Sequence, residues 1–417
     1  MRRFKLALPM ALCAAAAAAQ APASPPAAPA LPAAIASPAL QAVWQMQDSG
    51  VTAGLRGIDS VDGTVAWASG TDGTVLKTVD GGAHWQRCAM LDGDKDGATL
   101  DFRGVQAWDA TTAIVMSSGK GNLSRLYKTT DGCKTWKLVF KNPDGNGFWD
   151  AFGFPLRHQN PHGQRISDWM DGWLLGDPVH GRFSLFRTAN SGKDWYKQKN
   201  ESLRADPSKQ GAFAASNSSL LVDFGSPVFG SGGSGGAQLY AQTTNTICVD
   251  DCSPADVLLS GKDDKWLVQS VPIGHNTESS GIFSIASRPQ PRLPYRYDYV
   301  LIAVGGDYAH PNDESNAAAF RLTFDQPWTA STIPPHGYRS SVQWSEALHA
   351  WITAGTNGSD ISRDDGRTWQ PLDDGNWNAL SLPFVVGPNG RIARINPAAL
   401  PAASSPVSET PPAQKLP

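Results

Sequence analysis

The sequence predicts an all-β chain folded as a seven-bladed β-propeller of four-stranded blades, the last blade closed by the N-terminal strand. Three observations carry this expectation. An octet of residues recurs four times, a plan of short strands repeats around each octet, and the composition favours turns and packed aromatics over charge. Of 417 residues, 41 are Gly, 31 Pro and 15 Trp, while only 18% are charged, a balance that suits many short strands and disfavours a helical protein.

The octet reads TVDGGAHW at residues 78–85, TTDGCKTW at 129–136, TANSGKDW at 188–195 and SRDDGRTW at 362–369. Asp80, Asp131, Asn190 and Asp364 can accept backbone N–H bonds inside their own loops. Glycine supplies the positive φ of a tight turn, and Trp85, Trp136, Trp195 and Trp369 open the returning strand by packing on a core. Each octet is therefore expected to be a β-hairpin. The octets resemble the Asp-box, or BNR repeat, of sialidases and other β-propellers, and that resemblance implies a folding element rather than chemistry.

Taken in order, the chain opens with Arg2, Arg3 and Lys5 followed by an apolar, alanine-rich run to residue 19. This is the pattern of a cleaved signal peptide over residues 1–19, too short for a spanning helix, so a periplasmic or secreted location is expected, with no transmembrane segment in the mature chain. Residues 20–41 are rich in Ala and Pro and carry no charge, the composition of a linker. The propeller is expected over 42–396, and residues 397–417 are expected to be a disordered tail.

Within 42–396 the unit is longer than the octet. Residues 55–88 divide into LRGIDSV, TVAWASG, TVLKTVD and HWQRC at the turn pairs Asp62-Gly63, Asp72-Gly73 and Asp80-Gly81. Residues 102–140 repeat the plan, a third copy starts at Phe148 and a sixth at Tyr338. The gap from Trp195 to Trp369 is roughly three times the shorter intervals, room for two further units, starting near Phe213 and Phe283, that have lost the octet. The last stretch, 377–395, supplies three strands only. AVWQM at 42–46 is the expected fourth, and its Trp44 stands where the other outer strands carry the octet Trp. Pairing the two ends hides both sheet edges.

Loss of residues 1–19 would leave 32 basic residues (35 less Arg2, Arg3 and Lys5) against 38 acidic ones, net −6. Such a balance argues against nucleic acid as a partner. Four of the five cysteines lie beyond residue 19. Cys248 and Cys252 could close a small loop, and Cys88 and Cys133 could join neighbouring repeats; an even number in an exported chain permits disulfides. Spacings for a metal site or a cofactor-binding loop are absent. His180, His275 and His310 fall in different repeats, and the SGGSGG run at 231–236 lacks the Lys-Ser/Thr of a phosphate loop. Neither metal nor cofactor is expected, and a monomer is.

The first strand of a propeller blade lines the central channel. Each unit opens with a bulky residue followed by a variable one: Leu55-Arg56, Phe102-Arg103, Trp149-Asp150, Phe213-Ala214, Phe283-Ser284, Tyr338-Arg339 and Trp377-Asn378. The second members are expected to ring one rim of the channel. Loops between second and third strands should reach the same rim, adding Asp177 and His180, then Asp307, Tyr308, His310, Asn312 and Asp313. The octets should lie at the other end. Asp150 and Asp177 are expected to pair with the ring arginines.

Phrases spread over nearly every repeat, among them LRGIDSVDGTVAWASGTDGTVLKTVDGGAHW, DGWLLGDPVHGRFSLFRT, AVGGDYAHPNDESNAAAF, GYRSSVQW and VVGPNGRIAR, resemble the photosystem II stability/assembly factor-like BNR propellers of bacteria. The resemblance implies a noncatalytic protein that binds a protein or peptide through an arginine-bearing patch, here Arg56, Arg103 and Arg339. The expected partner-binding set is those three with Asp150, Asp177, Asp307 and Asn378. The alternative is a glycoside hydrolase: a sialidase would use the three arginines on a carboxylate and Tyr338 or Tyr308 as nucleophile, and a two-carboxylate enzyme would use Asp150 and Asp177 as acid and base. The Arg-Ile-Pro opening of sialidases is absent, and no obvious Glu partner is placed for either Tyr.

Overall fold

The computed structural model describes residues 42–89, 96–155, 158–159, 165–166, 170–199, 201–222, 226–243, 265–292, 296–323 and 326–402. Among these, the chain forms seven four-stranded antiparallel sheets and one two-stranded sheet, His158–Gln159 with Arg165–Ile166. The proposed leader, the Ala/Pro-rich segment and the Cys248–Cys252 pair lie outside the described residues.

Each four-stranded sheet is one blade, and in blades 1 to 6 the strands run in chain order from the channel outward. Blade 1 is Leu55–Ser60, Ala66–Gly70, Val75–Thr78 and Gln86–Arg87. Blade 2 is Phe102–Ala107, Ala113–Ser117, Arg125–Thr129 and Lys137–Lys141. Blade 3 is Trp149–Gly153, Gly172–Val179, Arg182–Thr188 and Tyr196–Lys197. Blade 4 is Leu220–Leu221, Val228–Ser231, Gln238–Thr243 and Lys265–Ser270. Blade 5 is Ser280–Arg292, Arg296–Asp307, Ala318–Arg321 and Thr329–Ala330. Blade 6 is Ser341–Ser345, Ala350–Gly355, Gly358–Ser362 and Gln370–Asp373. Blade 7 takes Ala379–Ser381, Phe384–Val386 and Ile392–Ile395 from one end of the chain and Trp44–Gln47 from the other, with Trp44 opposite Ile395 and Gln47 opposite Ile392. The ring is closed as the sequence predicts.

Burial explains why seven sheets hold together without helices. Second strands such as Ala66–Gly70 and Ala350–Gly355 are buried on both faces, so each blade must pack against two neighbours. The core is accordingly seven clusters, one at each blade interface. The octet tryptophans fasten these interfaces. Trp85 of blade 1 meets Phe384 of blade 7 edge-on at 5.7 Å, and Trp136 of blade 2 meets Trp67 of blade 1 at 6.3 Å. Trp44 plays the same part for blade 7, donating its indole N–H to Ser359 of blade 6 at 2.9 Å. Cys88 and Cys133 join blades 1 and 2 as a disulfide.

All four octets fold alike. In the first, Thr78 Oγ1 donates to Asp80 Oδ1 (2.8 Å) and accepts from Gly82 N–H (2.9 Å), while Asp80 Oδ1 accepts from His84 N–H (3.0 Å). The pattern recurs at Asp131, Asn190 and Asp364. Hydrogen bonds from within the loop hold the Asp80 and Asp131 carboxyls near 2. These acids are spent on their own turns. Residues 397–402 depart from the expected tail: Pro397–Ala399 is a 3-10 turn capped by the Asn396 side chain, and Leu400 packs on the blade 6/7 cluster.

Candidate functional site

The channel mouth is built by a backbone irregularity that repeats. The first strands of blades 1, 2, 3 and 5 each carry one extra residue in their pairing, between Leu55 and Gly57, Phe102 and Gly104, Trp149 and Ala151, and Ile282 and Ser284. Such a bulge leaves one residue out of the ladder and re-aims its side chain. The residues so displaced are Arg56, Arg103, Asp150 and Phe283, and all four line one cavity of about 450 Å³. Asn378 joins them there, its amide donating to Leu55 O at 2.7 Å. Asp177, near the end of blade 3's second strand, and Tyr308, just after blade 5's second strand, reach the same cavity. The octet turns instead join the loops between first and second strands, Gly81 N–H bonding Thr64 O and Gly132 N–H bonding Thr111 O.

Two blades depart from the expected register by one residue. In blade 5 the core position is Ile282, fully buried, and Phe283 rather than Ser284 faces the cavity; Ser284 instead bonds Ser218. In blade 6, Gly355 lies against Tyr338 O and Arg339 Cα as Gly70 lies against Gly54 O and Leu55 Cα. Arg339 therefore takes the buried slot that Leu55 fills in blade 1, and Ser340 takes the rim. Its guanidinium is fully buried. Nε donates to Asp360 at 2.6 Å, one Nη bonds Asn357 Oδ1 and Tyr338 O, and His336 sits on the other side of Asp360 at 2.7 Å. Arg339 thus braces the blade and presents no surface to a partner, a correction to the expected arginine patch.

The fourth blade departs further. Its first strand is Leu220–Leu221, and residues 212–219 before it run across the channel. Ala214 O accepts from Arg103 of blade 2 (3.2 Å), Asn217 Oδ1 accepts from Phe152 N–H of blade 3 (2.9 Å), and Ser216 donates to Ser340 O of blade 6 (2.6 Å). This segment lines the mouth through Phe213, Ala214 and Ala215, and a second cavity of about 370 Å³ through Ser216, Asn217 and Ser218. It is a plug that divides the channel. Phe213 stacks on Phe283 with centroids 4.0 Å apart, and Phe283 meets Tyr308 at 6.0 Å and Tyr338 at 4.8 Å. One wall of the mouth is therefore aromatic.

The other wall is charged. Arg103 Nε donates to Asp101 Oδ2 at 2.8 Å, and Arg56 Nε lies 3.0 Å from Asp101 Oδ1 at an angle that makes it an ion pair rather than a hydrogen bond. Asp101, which sequence reasoning passed over, thus holds both half-buried arginines of the rim; an acid two residues before Arg103 was the available signal. Asp150 and Asp177, expected to pair with those arginines, make no ion pair with them. Asp150 is 1% exposed and its Oδ2 has no hydrogen-bond partner. Burial and the neighbouring Asp177 push its carboxyl well above the usual range, against the pull of Arg103. Asp177 accepts from Ala212 N–H at 3.0 Å, and burial raises it to about 6.

The remaining candidates are occupied elsewhere. Asp307 is buried; burial pushes its carboxyl up, but hydrogen bonds, from Ser279 and His310 among others, bring it down to about 2. His275 pairs with Asp313 and His310 with Asp307. No group of three or more His, Cys, Asp or Glu poised to hold a metal occurs among the described residues. Burial drives the Tyr338 phenol upward, the reverse of what a nucleophile needs. No helix among the described residues is long and apolar enough to cross a membrane.

Fold and mouth together define a seven-bladed β-propeller whose plugged channel opens as a pocket with one aromatic and one charged wall. Among solved structures, the chain is similar to YCF48 from Cyanidioschyzon merolae, with a TM-score of 0.54 and 17% identity over 86% of this chain and 100% of that one. It is also similar to YCF48 bound to D1 peptide (TM-score 0.48, 15% identity, 85% and 97% covered) and to U3-55K (0.50, 11%, 85% and 98%). At these identities the likeness is one of fold. No protein-family model matches the sequence, and a search of curated proteins finds no similar one.

Proposed function

We propose that this chain is a noncatalytic, exported propeller that binds a protein or peptide partner at the mouth of its channel, in an assembly-factor-like role. The observation that carries the reading is the plug. Residues 212–219 turn the channel into a blind pocket, suited to receive a side chain or a chain end, with ready-made apolar and charged walls. The Cys88–Cys133 disulfide supports an oxidising compartment.

The test is selection of displayed random peptides on the purified protein. Enrichment should disappear on the Arg56→Ala/Arg103→Ala/Phe283→Ala variant with its thermal transition still cooperative. Enrichment that survives would place binding elsewhere. The two buried carboxyls favour one second reading, acid/base hydrolysis of a glycan, because a carboxyl near 6 suits a general acid. A broad glycan screen decides it: turnover that falls about tenfold or more in Asp150→Asn would replace the binding role.

A further inference from the structure

Two carboxyls, Asp150 and Asp177, and two guanidiniums, Arg56 and Arg103, line the mouth, with Asp101 beside the arginines. Asp101 already engages both arginines. What is left over is acid: Asp150 is buried, lines the cavity and has one oxygen with no partner, an arrangement that a native fold rarely leaves unexplained. Across from it stand the faces and edges of Phe213, Phe283, Tyr308 and Tyr338. Two carboxyls beside clustered rings, the buried one of Asp150 giving up its proton as a cation arrives, are the chemistry that holds an organic cation, by charge-assisted hydrogen bonds on one side and attraction to the ring quadrupoles on the other.

We propose that the pocket selects a primary ammonium or guanidinium on a flexible apolar stem, presented as a lysine or arginine side chain of the partner, with Asp150 and Asp177 holding the charge and the aromatic wall holding the stem. This rests on the mouth being the partner site and goes beyond it by fixing what the partner must carry. It also departs from an arginine patch: Asp101 holds both guanidiniums, and the groups that take the ligand's charge are the carboxyls of Asp177, half-buried at the cavity, and of Asp150, buried in its wall. The plug limits the depth, so a side chain enters and a threaded chain does not.

The experiment titrates the full protein with three capped amino acids sharing one backbone, N-acetyl methylamides of lysine, norleucine and glutamate, followed by NMR. The lysine probe should bind at least about tenfold more tightly than norleucine, the scale of one charge-assisted hydrogen bond. That advantage should vanish in Asp150→Asn, an isosteric change, and in Asp177→Asn, each with the thermal transition retained. Cadaverine provides a further arm: binding tighter than the lysine probe would make the cation a free amine rather than a side chain, the pocket chemistry standing. Equal binding of norleucine, preference for glutamate, or a lysine advantage unchanged in both variants overturns the cation assignment while leaving the mouth as a partner site. Silence of all the probes overturns it too, and the peptide selection described above then decides separately whether the mouth binds at all.

Discussion

Asp177→Asn is expected to stabilise the protein at pH 8 and to leave it nearly unchanged at pH 4. In the folded chain the Asp177 carboxyl is raised by burial from an ordinary 3.8 to about 6, so the folded state holds this proton more tightly than the unfolded state does. The sign follows directly. The stability this group contributes is fully present below pH 3.8 and is lost as pH rises through about 6. At about 1.4 kcal/mol for each factor of ten in proton affinity, the loss is about 3 kcal/mol at pH 8, an upper value because solvent still reaches the group. An amide in the same place carries no charge to desolvate, and its oxygen can still accept from Ala212 N–H. It also relieves Asp150, which the charge of Asp177 drives further upward; Arg56, Arg103, Tyr308 and Tyr338 face the same space, with Asp101 paired to the two arginines. Urea midpoints at pH 4, 6 and 8 measure the effect. In a domain of this size it amounts to a few degrees in Tm. A difference between variant and parent that stays flat from pH 4 to pH 8, or a variant weaker at pH 8, would refute the reasoning.

Two further outcomes test the frame around the mouth. Arg339→Ala should destabilise by about 3–5 kcal/mol, since it leaves Asp360 buried without its partner, yet should leave lysine-probe affinity within about twofold; equilibrium unfolding and the NMR titration read the two, and a loss of affinity with intact stability would return Arg339 to the rim. Cys88→Ser should cost up to about 4 kcal/mol by releasing a loop with a sequence separation of 45 residues. Dithiothreitol should lower the parent to the level of the variant and leave the variant unmoved, whereas an unmoved parent would show that the crosslink contributes nothing.

The ring was legible because its signals are local and repeated. Each octet specifies its own turn, the tryptophans mark the blade interfaces, and three leftover strands at one end demand a fourth from the other. Arg56, Arg103, Asp150 and Asn378 were legible at the rim because each follows a bulky anchor, Leu55, Phe102, Trp149 or Trp377, that the core requires. The rule broke where the anchor was disguised. In blade 6 a fully paired arginine fills the anchor slot, and nothing in GYRSS announces that Asp360, some twenty residues on, will neutralise it. In blade 5 Phe283 reads as the anchor although the smaller Ile282 fills that place. The plug at 212–219 has no periodicity to betray it, being held by side chains and carbonyls from other blades.

The pairing that closes blade 7 also gives the molecule a preferred way to come apart under tension. Trp44 lies opposite Ile395, and Asn396 N–H bonds Val43 O, so the two ends of the fold leave the ring side by side from the same end of one antiparallel pair. A pull applied between them loads these hydrogen bonds one after another, as in a zipper, and never all four residue pairs in parallel. The indole bond from Trp44 to Ser359 and the Trp44 ring against Trp377, 6.0 Å away, are then the latch, placed at the first point to feel the force. Held by one end alone the propeller bears no such load; strung between two anchors it would open at this seam, leaving six blades still packed.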